Sequence, residues 1–242
     1  MKIFLDVGSN QGQTISAILE PTHGFDRLFC KYGFGRIYGF EPVPQLHQIL
    51  TANYRDPRMI FFAVGLWKET GERPMYSPGS QSGSIFADKI NVDPAHSMTC
   101  KFVRASDWFR DHVPEKGEVY VKLNCEGSEV DIIEDLLDSN QYRKITSLGV
   151  SFDVRKIPSQ RAREEKLKRR LQAEGHTNCV DLDLIPGSRR ERIQTWLSMA
   201  GADRRSLGNR LRHGVFACQT FVARAVRYTR RHVRTTSRLD VT

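Results

Sequence analysis

The stretch M-K-I-F-L-D-V-G-S-N-Q-G, residues 1–12, decides how the rest of the chain is read. Ile3, Phe4, Leu5 and Val7 form a short apolar run of the kind that a parallel strand buried on both faces requires. Asp6, Gly8, Ser9, Asn10 and Gly12 follow where such a strand turns into a helix, expected over residues 14–19. Gly8 and Gly12 let the backbone bend and let a ligand lie against it, while Asp6 and Asn10 supply an acceptor and an amide at the strand's carboxyl end.

As a dinucleotide fingerprint this turn is defective, because G-x-G-x-x-G needs glycine where Asn10 and Gln13 stand. The Asp6 carboxylate also disfavours a pyrophosphate. It suits a cationic ligand built from an amino acid and a nucleoside, of which S-adenosylmethionine is the common example. The alternative is a tight strand-to-helix turn that binds nothing.

Composition narrows the class. A chain of 242 residues suits one α/β domain with insertions. Its five cysteines are odd in number and include no C-x-x-C pair, which argues against a disulfide framework or zinc site and for a reducing, cytoplasmic setting. No leader is expected ahead of the first strand, and no apolar run approaches the length of a bilayer span. The net charge of +9 is unevenly placed: residues 1–203 balance 27 basic against 27 acidic side chains, whereas residues 204–238 hold ten Arg and no acid.

Along the chain, residues 20–35 are aromatic and glycine-punctuated, an irregular segment expected to cap the first helix near the ligand end of the sheet. A second strand is expected at Arg36–Phe40, leaving Glu41 and Pro42 at its carboxyl edge, where an ionised Glu41 would accept both hydroxyls of a ribose diol. A helix over Pro44–Asn53 carries Leu46, Ile49 and Leu50 on one face, with His47 at the surface. A third strand over 59–66 ends in small residues, Ala63 and Val64 among them, suited to an adenine ring. Residues 68–71 read as a hairpin turn returning through 73–77, and 78–84 as a polar segment that either closes over a ligand or merely links elements. Residues 85–100 show no clear period, and Ser106 is the expected cap of the next helix.

Residues 118–137, E-V-Y-V-K-L-N-C-E-G-S-E-V-D-I-I-E-D-L-L, repeat the strand, glycine turn and helix pattern. Asn124, Glu126 and Glu129 thereby gather at a strand's carboxyl end, the ligand edge of an open α/β sheet, although Glu129 also suits a helix start. The ordered set D-V-G-S-N-Q-G (6–12), G-F-E-P (39–42), A-V-G-L (63–66) and V-K-L-N-C-E-G-S-E (121–129) resembles the FkbM-type methyltransferases, a branch of the S-adenosylmethionine-dependent class I enzymes. The resemblance covers roughly residues 3–158, with a weaker likeness at 219–224. It implies an α/β, Rossmann-like class I methyltransferase fold whose seven-stranded, mostly parallel sheet has its last strand antiparallel and helices on both faces. It also implies methyl transfer to a hydroxyl, frequently of a sugar or glycan. On that resemblance Asp6, Gly8, Ser9, Asn10, Gly12, Glu41, Pro42, Ala63, Val64 and Asn124 hold the cofactor, while Lys122, Asn124, Glu126 and Glu129 face the acceptor. Many relatives carry Asp where this chain has Asn124, and an amide is neither a general base nor a strong metal ligand.

Further strands are expected at 148–154, 178–185 and 219–224, with a charged helix over 159–174 between the first two. The domain then spans 1–224, with an insertion at 186–212 and a basic tail at 225–242. Asp153 and Arg155 fall beside the Glu126 cluster. In the insertion, Arg189, Arg190, Arg192, Arg204, Arg205, Arg210 and Arg212 either rim the acceptor site for a phosphorylated, nucleotide-linked or acidic sugar or are solvated surface charges. The tail either docks on an anionic membrane surface or is disordered. Expected chemistry is displacement at the sulfonium methyl by an acceptor hydroxyl, with Glu126 the first candidate base and Asp153 the second; alternatively both hold a divalent cation. A nucleic-acid methyltransferase on the same fold, encouraged by the arginine-rich tail, is the second class, although the sequence holds no N-P-P-Y-type base pocket or recognisable RNA-binding module. A non-catalytic binding protein on the same fold is the third class.

Overall fold

The computed structural model describes residues 1–19, 32–80 and 82–203. Six strands form one parallel sheet: β1 (Lys2–Val7), β2 (Arg36–Phe40), β3 (Met59–Phe62), β7 (Glu118–Leu123), β8 (Ser147–Val150) and β9 (Cys179–Asp181), in the order β3-β2-β1-β7-β8-β9. The chain winds outward from β1 through β2 and β3, then restarts beside β1 at β7, so the topological switch point falls between β1 and β7. Val7 is level with both Phe40 and Leu123, which brings three strand tips together at one edge. The fold is therefore α/β, doubly wound and Rossmann-like.

Burial explains why β1 carries no alternation: all six of its residues are buried. Ile3, Leu5 and Val7 pack with Val121, Leu148 and Val150 against α3 (Ala105–His112) and α4 (Glu129–Asp138). On the opposite face, Phe4, Ile37 and Tyr120 pack against α1 (Gln13–Ile18) and α6 (Arg189–Met199). The α6 helix is fastened by Trp196, fully buried against Gly149, where a Cβ would come within 2.8 Å of the indole, and donating from Nε1 to Ser147 Oγ at 2.9 Å. Helices α2 (Pro44–Asn53) and α5 (Arg163–Ala173) complete the layers.

Several expectations need correction. The apolar run at 59–66 is not one strand: β3 ends at Phe62, and after Ala63 and Val64 the chain enters a second, three-stranded sheet of β4 (Gly65–Trp67), β5 (Gly71–Tyr76) and β6 (Ser97–Arg104), in the order β4-β6-β5. Trp67 and Phe102 bury a separate core with Val43 and Leu46, which rewards leaving the main sheet. The hairpin partner of β5 is accordingly β6, not the strand before it. Ile49 is 40% exposed rather than facing the core. Ser106 is not a cap: the N-cap is Arg104, and the Ser106 amide is satisfied by Asp135 Oδ2 at 2.7 Å. Tyr32–Gly35 do not reach the ligand end, because the Gly35 amide donates to Lys2 O and the Lys2 ammonium to Tyr32 O, at the opposite edge of the sheet. The strands expected at 148–154 and 178–185 stop at Val150 and Asp181, each followed by a 3-10 turn. The charged helix occupies only Arg163–Ala173 and buries Leu167 and Leu171.

The strand expected at 219–224, the tail 225–242, residues 20–31 and Arg204, Arg205, Arg210 and Arg212 lie outside the described residues. Among the described residues no helix is long and apolar enough to cross a membrane.

Candidate functional site

The tips of β1, β2 and β7 carry the groups that the sequence singles out. After Val7, Gly8 adopts φ +77 and lies so close to the β7 tip that a Cβ would sit 2.0 Å from Asn124 O. Asn10 is also left-handed, at φ 51, a conformation its short amide side chain tolerates. This presents the Asn10 amide to Glu41 Oε2 at 2.8 Å, while Val43 N donates to Oε1 at 3.0 Å. Glu41 is 4% exposed, and burial raises its pKa against the pull of these two backbone donors. Each carboxylate oxygen holds one donor, leaving acceptor capacity on both.

Asp6 does not line this cleft. It is fully buried and its carboxylate makes no hydrogen bond of good geometry; the compensation is the Lys122 ammonium at 3.0 Å, which donates to Gly8 O at 2.9 Å and Val7 O at 3.3 Å. The two residues face one another across β1 and β7. Ser9 Oγ is likewise turned inward, donating to Asp6 O at 2.8 Å. Gly12 gives room to the Tyr54 ring, whose hydroxyl donates to Gly12 O at 3.0 Å. These residues build the turn from behind.

Two cavities open beside it. The first, about 80 Å³, runs from Gly8, Asn10, Glu41 and Pro42 to Asn124, Cys125 and Glu126. Its apolar wall is Val43, Leu66, Met75, Ile85 and Phe102, contributed largely by the second sheet, whereas Ala63 and Val64 do not line it. Gly79, Ser80 and Gly83 also border it. The second cavity, about 430 Å³, is polar and includes Thr14, Lys122, Ser151, Asp153, Lys156, Asp183 and Arg192. Asn124, Glu126 and Arg189 border both.

The turn after β7 shapes this junction. Glu126 has φ 58 and Gly127 φ 119, and Glu129, fully buried, closes the turn by accepting from Cys125 N at 2.9 Å and Gly127 N at 3.1 Å. Glu129 therefore faces the backbone rather than either cavity, and burial pushes its carboxyl up to about 7 despite those donors. Glu126 is raised by burial and by Asp153, opposed by Lys89. Asp153 is lowered: burial acts against that, and its hydrogen bonds with Glu126 and Lys156 prevail. Of this pair Glu126 is the one held above the ordinary carboxylate range and Asp153 the one held below it.

Lys89 is the residue that sequence reading passes over. Its ammonium is buried, paired with Glu126, 3.1 Å from Ser82 O and 3.7 Å from Asp153 Oδ2. Its stretch lacks periodicity, and its carboxylate partners, Glu126 and Asp153, come from distant parts of the chain. Two expected cationic contacts lie elsewhere. Arg155 is spent on Glu164 at 3.0 Å and Asp181 at 3.2 Å. Arg190 reaches Ser16 O in α1 and Leu19 O at its C-cap, each at 3.4 Å. Among the described residues no group of three or more His, Cys, Asp or Glu is arranged to hold a metal ion.

No family model matches the chain, and no curated protein matches it. Among solved structures it is similar to the crystal structure of methyltransferase FkbM from Methylobacillus flagellatus KT, with 14% sequence identity and a TM-score of 0.44 over 71% of this chain. The match takes in 37% of the other chain, so this chain spans little more than a third of that protein's length.

Proposed function

We propose that this chain is an S-adenosylmethionine-dependent methyltransferase that acts on a hydroxyl oxygen of a sugar, glycan or glycosylated metabolite. The observation that carries the reading is the pair of cavities meeting at Asn124, Glu126 and Arg189, which provides a donor side and an acceptor side with one shared wall. The donor side fits the cofactor. Glu41 retains acceptor capacity for a ribose diol, Val43, Leu66 and Phe102 offer an apolar face for adenine, and the Glu41 carboxylate favours a cationic ligand.

When bound, the cofactor supplies an activated methyl group on a positively charged sulfur. The chain's part is alignment and proton removal. Gly8 and Asn124 fix the floor of the junction, the Asn124 amide is available to orient a polar group, and Glu126 accepts the hydroxyl proton once it has released its own. Arg189, Arg192 and Lys156 on the acceptor side suit a phosphorylated or acidic sugar.

Transfer of labelled methyl from S-adenosylmethionine to a panel of sugar and glycan acceptors tests this reading. Turnover is expected to rise with pH as Glu126 deprotonates above the usual carboxylate range. Glu126→Gln is expected to lower it by about 10²-fold or more and to flatten that rise. Label passing to nucleic acid but to no sugar contradicts the proposal, as does a fully active Glu126→Gln enzyme.

A further inference from the structure

We infer that the Lys89 ammonium is the resident cation of the junction between the two cavities, occupying the place from which a divalent ion would otherwise bridge Glu126 and Asp153. Three oxygens converge on it: Glu126 Oε2, Ser82 O at 3.1 Å and Asp153 Oδ2 at 3.7 Å. Two carboxylates and a carbonyl are the hard-oxygen set that Mg²⁺, Mn²⁺ and Ca²⁺ take. An ammonium with three N–H donors answers the same set with a single charge.

The lysine is held there from several sides. Its side chain is 1% exposed, Ile90 N donates to Lys156 O at 2.9 Å, and Ser159 N donates to Asp88 Oδ2 at 3.0 Å. The loop bearing Lys89 is thus pinned to the turn bearing Asp153. Charge is also accounted for, since Lys156 pairs with Asp153 at 2.6 Å and two cations already face two carboxyl groups. A divalent ion would add two positive charges beside the Lys89 and Lys156 ammonium groups. Lys89 is accordingly a positioning residue that fixes Glu126 at the wall common to both cavities, and the residues present do not fit a resident metal. The inference rests on the proposed methyl transfer only in taking the larger cavity as the acceptor side; the ion chemistry stands apart from it.

The test is Mn²⁺ titration of the full chain, followed by electron paramagnetic resonance, in wild type, Lys89→Ala and Lys89→Ala/Glu126→Gln. Wild type is expected to show no site that depends on Glu126. Lys89→Ala is expected to gain a single site at least about tenfold tighter than any in wild type, and the double variant to lose it. A folded Lys89→Ala protein that binds Mn²⁺ no better than wild type overturns the inference, as does a Glu126-dependent site of equal affinity in wild type. Should Lys89→Ala fail to fold, reductive methylation of native protein decides: Lys89 is expected to label at least about tenfold faster in Glu126→Gln than in wild type, and equal rates overturn it. Failure of the cofactor reading would appear separately, as absence of S-adenosylhomocysteine binding in wild type.

Discussion

Glu41 and Asp6 are both buried carboxylates at strand tips, yet their surroundings assign them different work. Glu41 borders the smaller cavity, the proposed cofactor side, with acceptor capacity to spare, so Glu41→Gln is expected to weaken cofactor binding by about 1.5–3 kcal/mol, roughly 10- to 150-fold, in calorimetry. Asp6 is tied to Lys122, so its effect on a ligand passes through the shape of the turn. Glu129 makes a pH prediction. Its folded pKa of about 7 lies above the ordinary value of 4.5, so the unfolded chain releases the proton first. Its stabilising contribution is present below pH 4.5 and is lost as pH rises through about 7. Denaturant unfolding is expected to show wild type falling by up to about 3 kcal/mol relative to Glu129→Gln across that interval; parallel profiles would contradict it. At this scale the sequence displayed residue types at the correct strand tips. It did not display which carboxylate faces a cavity, because that depends on the lateral register of Asp6 against Lys122.

Elements that were legible are those whose burial leaves a local signature. The all-apolar β1, the β2 strand ending before Glu41-Pro42, and the strand, turn and helix of 118–138 stand close to where the pattern puts them. The second sheet was not legible, because the break at Ala63 and Val64 falls inside an apolar run and Gly65, which follows it, already belongs to β4. Lys89 was hidden for a related reason: its partner Glu126 is 37 positions away and the intervening chain passes through β6 and α3. The α6 helix carries a prediction of its own. Trp196 anchors it, so Trp196→Ala is expected to cost about 3–5 kcal/mol in chemical denaturation. Because Arg189 and Arg192 ride on the same helix, acceptor binding should fall with it. A loss under about 1 kcal/mol would mean that the indole does not hold the helix.

For the molecule as a whole, one sheet edge gathers both cavities, and everything proposed about function follows from what binds there. The doubly wound order places the opening between β1 and β7 outside their carboxyl ends, where such sheets bind ligands. The most direct measurement is calorimetry of the purified chain with S-adenosylmethionine and S-adenosylhomocysteine. One site for each is expected, weakened by Glu41→Gln. A wild-type protein that takes up neither compound contradicts it.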